Sequence, residues 1–120
     1  MRLALLLTPL VLTGASPPSA TPMAAPVTIT LSNYRFDPSI ILLQPGRPYR
    51  LHLVNTSTRG HNFVAPAFLA ATGQKARRIE VEPGHSVDLA IVAPAAGNYP
   101  VKCTHFTHAL RGMTGWVIVK

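Results

Sequence analysis

The sequence predicts an all-β domain, an antiparallel two-layer sandwich or barrel of seven or eight short strands with at most one short helix. Three observations lead there. Apolar and polar residues alternate with period two in short runs along most of the chain, the pattern of half-buried strands. Gly, Pro and Asn turn signals separate those runs at regular spacing. A folded part of about 95 to 105 residues can bury such a core without disulfides, and the lone cysteine has no partner within the chain.

The N-terminal residues stand apart. Met1-Arg2 is a short positive start, Leu3 to Leu12 is an apolar run broken only by Thr8 and Pro9, and small residues and prolines follow. That layout is a secretory signal peptide over residues 1–20, with small-residue cleavage points ending at Ala15, Ala20 or Ala25. The run is too short to span a bilayer as a helix, so no stable membrane insertion is expected after cleavage. No cysteine follows it to carry a lipid anchor. The domain is therefore expected to be periplasmic or otherwise exported. Residues 21–26 read as a flexible linker, and 27–120 as the folded domain.

In the domain, Val27, Ile29 and Leu31 alternate with Thr28 and Thr30 as a first strand. Phe36 and Ile40 to Leu43 give a second around the Asp37-Pro38 turn signal, closed by Pro45-Gly46. Tyr49, Leu51 and Leu53 form one side of a third, which leaves His52 pointing to solvent. Loop composition from Asn55 to Gly60 runs into His61-Asn62-Phe63-Val64, so His61 sits at a loop-to-strand junction. Ala65 to Ala71 suits one or two helical turns. Ile79 and Val81, then Val87, Leu89 and Ile91, mark two more strands around Pro83-Gly84, with His85 as an exposed turn residue. Tyr99, Val101 and Cys103 share a parity, so the sulfur points the way core residues point; Pro100 cannot donate to a ladder, and its nitrogen should face an edge or a bulge. Trp116 to Lys120 is the last strand.

Chemistry concentrates between Cys103 and Met113, which hold the only cysteine together with His105, His108 and a methionine. Thiolate, imidazole and thioether are soft ligands that select copper over magnesium or calcium. In an exported chain an odd cysteine is an intermolecular bridge, a reactive liability or a dedicated ligand. A small buried hydrophobe is the bland alternative, but it leaves His108 and Met113 unexplained.

Eleven Lys and Arg oppose four Asp and Glu, and losing a leader whose one charged side chain is Arg2 leaves six net positive charges. The basic residues are scattered apart from Arg77-Arg78, and export removes the usual target, so no nucleic-acid partner is expected. An acidic redox protein or an anionic membrane surface suits the balance better, beside the bland reading of a solvated basic face. The domain is expected to be monomeric.

Taken together these residues resemble the cupredoxins, the blue or type 1 copper proteins of plastocyanin and azurin type. The likeness is carried by Phe36-x-Pro38 with Ile40 and Leu42, Gly60-His61-Asn62-Phe63-Val64, Gly97-x-Tyr99-x-x-x-Cys103, and Cys103-x4-His108-x4-Met113 followed by Gly115. The resemblance implies a Greek-key β-sandwich and one copper ion, with His61, Cys103 and His108 as strong ligands and Met113 as a weak axial one. It also implies that the Asn62 backbone N–H bonds the cysteine sulfur, that the Asn62 side chain reaches Thr104, and that the Gly60 carbonyl approaches the metal opposite Met113. Two departures stand out: His105 offers an alternative ligand, with spacing in favour of His108, and Pro100 interrupts the cysteine strand.

The function so implied is a single-electron carrier between redox partners, its electron leaving at the His108 edge amid Phe106, Ala109 and Leu110. Copper binding and delivery, or copper resistance without electron transfer, is the alternative that His105 motivates. A structural zinc site of one cysteine and three histidines is a lesser one. No enzymatic role is expected, since one short domain lacks room for further copper centres and no Ser-His-Asp arrangement or paired carboxylate stands out.

Overall fold

Alternation in the sequence becomes pleat in the structure, a computed structural model that describes residues 9–14, 23–105, 108 and 110–120. In β1 (Ala25–Ser32) the fully buried Ile29 and Leu31 point inward, and in β4 (Pro48–Asn55) Leu51 and Leu53 do the same. Together with β2 (Arg35–Asp37) and β7 (Ser86–Val92) they form a four-stranded sheet in the order β2-β1-β4-β7. The second sheet has the order β3-β9-β8-β5-β6, from β3 (Ile40–Leu43), β9 (Thr114–Val119), β8 (Gly97–Lys102), β5 (His61–Val64) and β6 (Arg78–Val81). The chain passes between the sheets after β2, β3, β4, β6 and β7, so the two layers enclose one core. Phe36 and Phe63 meet across it edge to face, with ring centroids 6.1 Å apart, an arrangement worth about 1 kcal/mol beyond area burial.

There are nine strands among the described residues rather than seven or eight, and the sheets are mixed rather than antiparallel. The extra strand is β2. Pro38 cannot continue a ladder, so the chain breaks there, leaving Phe36 paired with β1 in one sheet and Ile40 starting β3 in the other. β1 runs parallel to β4, and β3 parallel to β9. Both parallel pairs join strands distant in the chain, a relation that alternation along a single strand does not encode.

One short helix, α1 (Pro66–Ala71), begins with Pro66 in its first turn, buries Phe68 and Leu69, and ends before Gly73 at φ +78°. Pro100 lies in β8, which is interior to the sheet. Trp116, its register partner on β9, donates its N–H to Ser39 at 2.8 Å on the β3 side, so the Pro100 nitrogen faces β5. There the β5–β8 ladder has shrunk to the single pair Val64↔Lys102.

The expected leader falls mostly on residues outside the described set; within it, Leu10, Val11 and Leu12 are exposed. Of the expected linker 21–26, residues 21 and 22 lie outside the set, while Ala25 and Pro26 already belong to β1, opposite Tyr49 and Arg50. Among the described residues no helix is long and apolar enough to cross a membrane.

The junction of β3 and β9 sets a strict steric limit. A Cβ on Gly115 would meet the Ser39 carbonyl oxygen at 2.4 Å, and backbone there cannot swing aside as a side chain can. Gly115→Ala is expected to lower stability by about 1–3 kcal/mol, read as a lower denaturant midpoint at unchanged m-value.

Candidate metal centre

Strand ends bring the chemistry together. His61 opens β5, Cys103 follows the last residue of β8, and Met113 precedes β9. The loop before His61 is held by the buried Asn55, whose amide donates to the carbonyls of Arg59 (2.7 Å) and Val81 (2.9 Å) while its oxygen accepts from the Ser57 backbone N–H.

His61, Cys103 and His108 form one buried cluster. The two Nδ1 atoms are 3.1 Å apart, and the Cys103 Sγ lies 3.4 Å from His108 Nδ1 and 3.8 Å from His61 Nδ1. A circle through these three atoms has a radius of about 2.0 Å, the length of a bond from a first-row metal to imidazole nitrogen and slightly short of one to thiolate sulfur. The donor set therefore fits a single trigonally held ion of soft preference. Met113 is fully buried beside it; its N–H donates to the His108 carbonyl at 3.0 Å, and its carbonyl accepts the Cys103 N–H at 3.1 Å.

Around the donors runs a second layer of contacts. The Asn62 N–H points at the Cys103 sulfur at 3.5 Å. Its side chain laces the two donor segments: Oδ1 accepts from the Thr104 N–H, and Nδ2 donates to Thr104 Oγ1, each at 2.8 Å. Nδ2 also donates to Glu80 Oε1 at 3.0 Å. The other Glu80 oxygen takes His105 Nε2 at 2.7 Å, so His105 is turned to Glu80 at the half-exposed rim, its ring stacked 6.0 Å from that of His108. Gly60 packs against the His105 ring, where a Cβ would sit 3.4 Å from Cε1. His52 pairs with Asp88 across β4 and β7, and His85 is exposed with its Nδ1 bonded to the Pro83 carbonyl; neither joins the cluster. Phe106 and Ala109 lie outside the described residues, while Leu110 is exposed.

Two neighbours in the β1–β2 turn escape a sequence reading altogether. Asn33 Oδ1 accepts the His61 Nε2–H at 3.0 Å, which fixes the tautomer and leaves Nδ1 with its lone pair. The Tyr34 ring packs on the His108 ring with centroids 4.9 Å apart, and the Arg111 guanidinium covers Tyr34 at 4.8 Å. Glu80 is a third such residue. In sequence it is only the polar partner of an alternating strand, and Asn33-Tyr34 only a turn; the signal that identifies them is spatial.

Burial first, then the charges of His108, His105 and Arg59, lower the His61 pKa from its ordinary 6.5 to about 4. Burial, followed by His105, Arg59 and Arg111, lowers that of His108 too. For Glu80 burial pushes upward, but hydrogen bonds from Asn62 and His105 and the charges of His105 and Arg78 outweigh it and hold the carboxylate below its usual value. Both imidazoles are thus kept in the neutral form that binds metal.

Residues 3–119 match the family described as the cupredoxin-like domain. In structure the chain is similar to dithionite-reduced auracyanin from the photosynthetic bacterium Roseiflexus castenholzii, with 22% identity, a TM-score of 0.66, and 81% of this chain and 98% of that one covered. It is also similar to auracyanin B, with 21% identity, a TM-score of 0.64, and coverage of 84% and 92%. No curated protein matches it by sequence.

Two outcomes follow from this geometry. His61 binds its proton more weakly in the folded than in the unfolded chain, so its contribution to stability is present above pH 6.5 and is lost as pH falls toward about 4. The metal-free protein should show a melting temperature that declines across that interval. Asn33→Ala removes the acceptor for the His61 Nε2–H, and competition with a chelator should show metal affinity lowered about 10–100-fold.

Proposed function

The chain belongs to the cupredoxin-like domain family, and from that premise we propose that it is an exported type 1 copper protein that carries single electrons between redox partners. The observation that carries the reading is the buried triangle of two imidazole Nδ1 atoms and one thiol, with a fully buried methionine beside it. His61, Cys103 and His108 would hold the ion strongly and Met113 weakly; bound copper supplies a one-electron Cu(I)/Cu(II) couple at a site whose softness favours the reduced state. The residues themselves exclude water and keep both histidines neutral. They also hold each donor by contacts that do not involve the ion, so little has to move when charge changes. The Gly60 carbonyl, next to His61 in the chain, would be a further weak oxygen donor.

Arg59 and Arg111 act on the two histidines, so the site end is basic, which suits an acidic redox protein and fast, salt-sensitive encounter. The exit for the electron is the His108 side, next to Leu110. Copper delivery without electron transfer remains the second reading. It drew on His105 as an additional ligand, and the bond from His105 to Glu80 weakens that support.

Copper-loaded protein should show the intense visible Cu(II)–thiolate absorption. The band should be abolished by Cys103→Ser, strongly altered by His108→Ala and retained in His105→Ala. Met113→Leu should leave the colour and raise the potential, since a weak donor is replaced by hydrocarbon. A colourless product that prefers zinc would sink the proposal.

A further inference from the structure

The outer face of the second sheet carries a feature that electron transfer leaves unused. Ile40 and Trp116 are register partners, as are Leu42 and Ile118, and Pro100 faces Trp116 from β8. Ile40, Leu42 and Trp116 are 52%, 61% and 47% exposed, large apolar side chains set side by side on two strands. Where Pro100 interrupts the ladder to β5, a groove of about 540 Å³ opens between Val64, Pro66, Pro100 and Trp116. Cations stand at both ends of this strip. Lys102 lines the groove at the metal-site end, while Lys120 and Arg47 share a depression with Leu42 at the other. Two side-chain carboxylates border the face: Glu80, on the edge strand β6, is taken up by Asn62, His105 and Arg78, and Asp37, which shares a depression with Thr114, is paired with Arg35. Asp37, Glu82 and Asp88 lie on β2, on the turn after β6 and on β7.

We propose that this face adsorbs to the surface of an anionic phospholipid bilayer, with Trp116, Ile40 and Leu42 entering the boundary of headgroups and acyl chains and Lys102, Lys120 and Arg47 meeting phosphates. The charge pattern selects this occupant. A second copy on the same face would bring like-charged rims together across a two-fold contact. A sheet of anionic headgroups complements cations at both ends at once, while the flexible stems of lysine and arginine let charge and apolar surface settle at different depths. Tryptophan among aliphatic side chains is the composition that favours the interface. In this pose the strands lie along the membrane, and the His61–Cys103–His108 end, just past β8, faces along its plane, open to a redox partner.

Trp116 is the only tryptophan, so its emission reports on this face alone. The full chain as exported, copper-loaded and then reduced, is mixed with phosphatidylcholine vesicles with and without phosphatidylglycerol. Trp116 emission should shift to the blue and be quenched by brominated acyl chains when phosphatidylglycerol is present, and high salt should reverse both effects. Lys102→Gln and Lys120→Gln should each weaken partitioning about fivefold, and Leu42→Ser, at an exposed position, should weaken it with the visible spectrum unchanged. Failure to co-sediment overturns the proposal. So does co-sedimentation with unchanged Trp116 emission, a blue shift that grows with protein concentration without lipid, or one produced by an acidic protein but not by vesicles. Emission is read independently of copper colour, so a failed copper assignment and a failed membrane assignment are distinguishable.

Discussion

Two buried imidazoles that face each other through Nδ1 at 3.1 Å, with a sulfur within 3.8 Å of both, cannot each carry a proton charge. Everything near them serves that constraint. Burial and the neighbouring cations lower the pKa of both, which keeps the rings neutral. Each ring is held by a further contact, His61 by the Asn33 amide oxygen and His108 by the tilted Tyr34 ring. Consecutive residues of one turn therefore hold two donors that are 47 positions apart in the chain.

Cys103 is held with equal economy. Its N–H is committed to the Met113 carbonyl and its sulfur faces the Asn62 N–H, while Thr104 closes a two-bond clasp with the Asn62 side chain. The Met113 N–H returns to His108, so the loop is tied at both ends and once in the middle. None of these bonds uses a donor electron pair that an ion needs. Only the Cys103 sulfur is shared between frame and ion, and a thiolate has lone pairs enough for both the Asn62 N–H and a metal.

Much of this arrangement was legible in the residues, and the exceptions share a cause. Alternation at Ile29 and Leu31, or at Leu51 and Leu53, identifies core faces because the strand period is a local property. The Cys103–Met113 segment announces soft ligands because the chemistry sits in one short stretch. Strand direction is a relation between segments, so the parallel pairing of β1 with β4 has no local signature. The separation of β2 from β3 depends on which sheet captures each side of Pro38. Asn33, Tyr34 and Glu80 have ordinary turn and strand identities, and only folding gives them their partners. His105 shows the same effect in reverse. Its place in the loop offered an alternative ligand although spacing favoured His108, and a carboxylate 25 positions earlier claims its ring.

A candidate cation site with Arg59 and Arg111 nearby looks at first like an electrostatic conflict. The neighbouring cations do oppose a metal ion, but they oppose protons at the same imidazoles as well, and the proton is the ion's chief competitor for those lone pairs. The thiolate resolves the remainder. Combined with one anionic sulfur, a monovalent ion leaves the centre neutral, whereas a divalent ion leaves it with one positive charge. Positive surroundings therefore penalise the oxidised state more than the reduced one, in the same direction as the weak thioether and the burial of the site. The arginines around the site thus lower proton competition at His61 and His108, and on the proposed copper reading they would also favour the reduced ion.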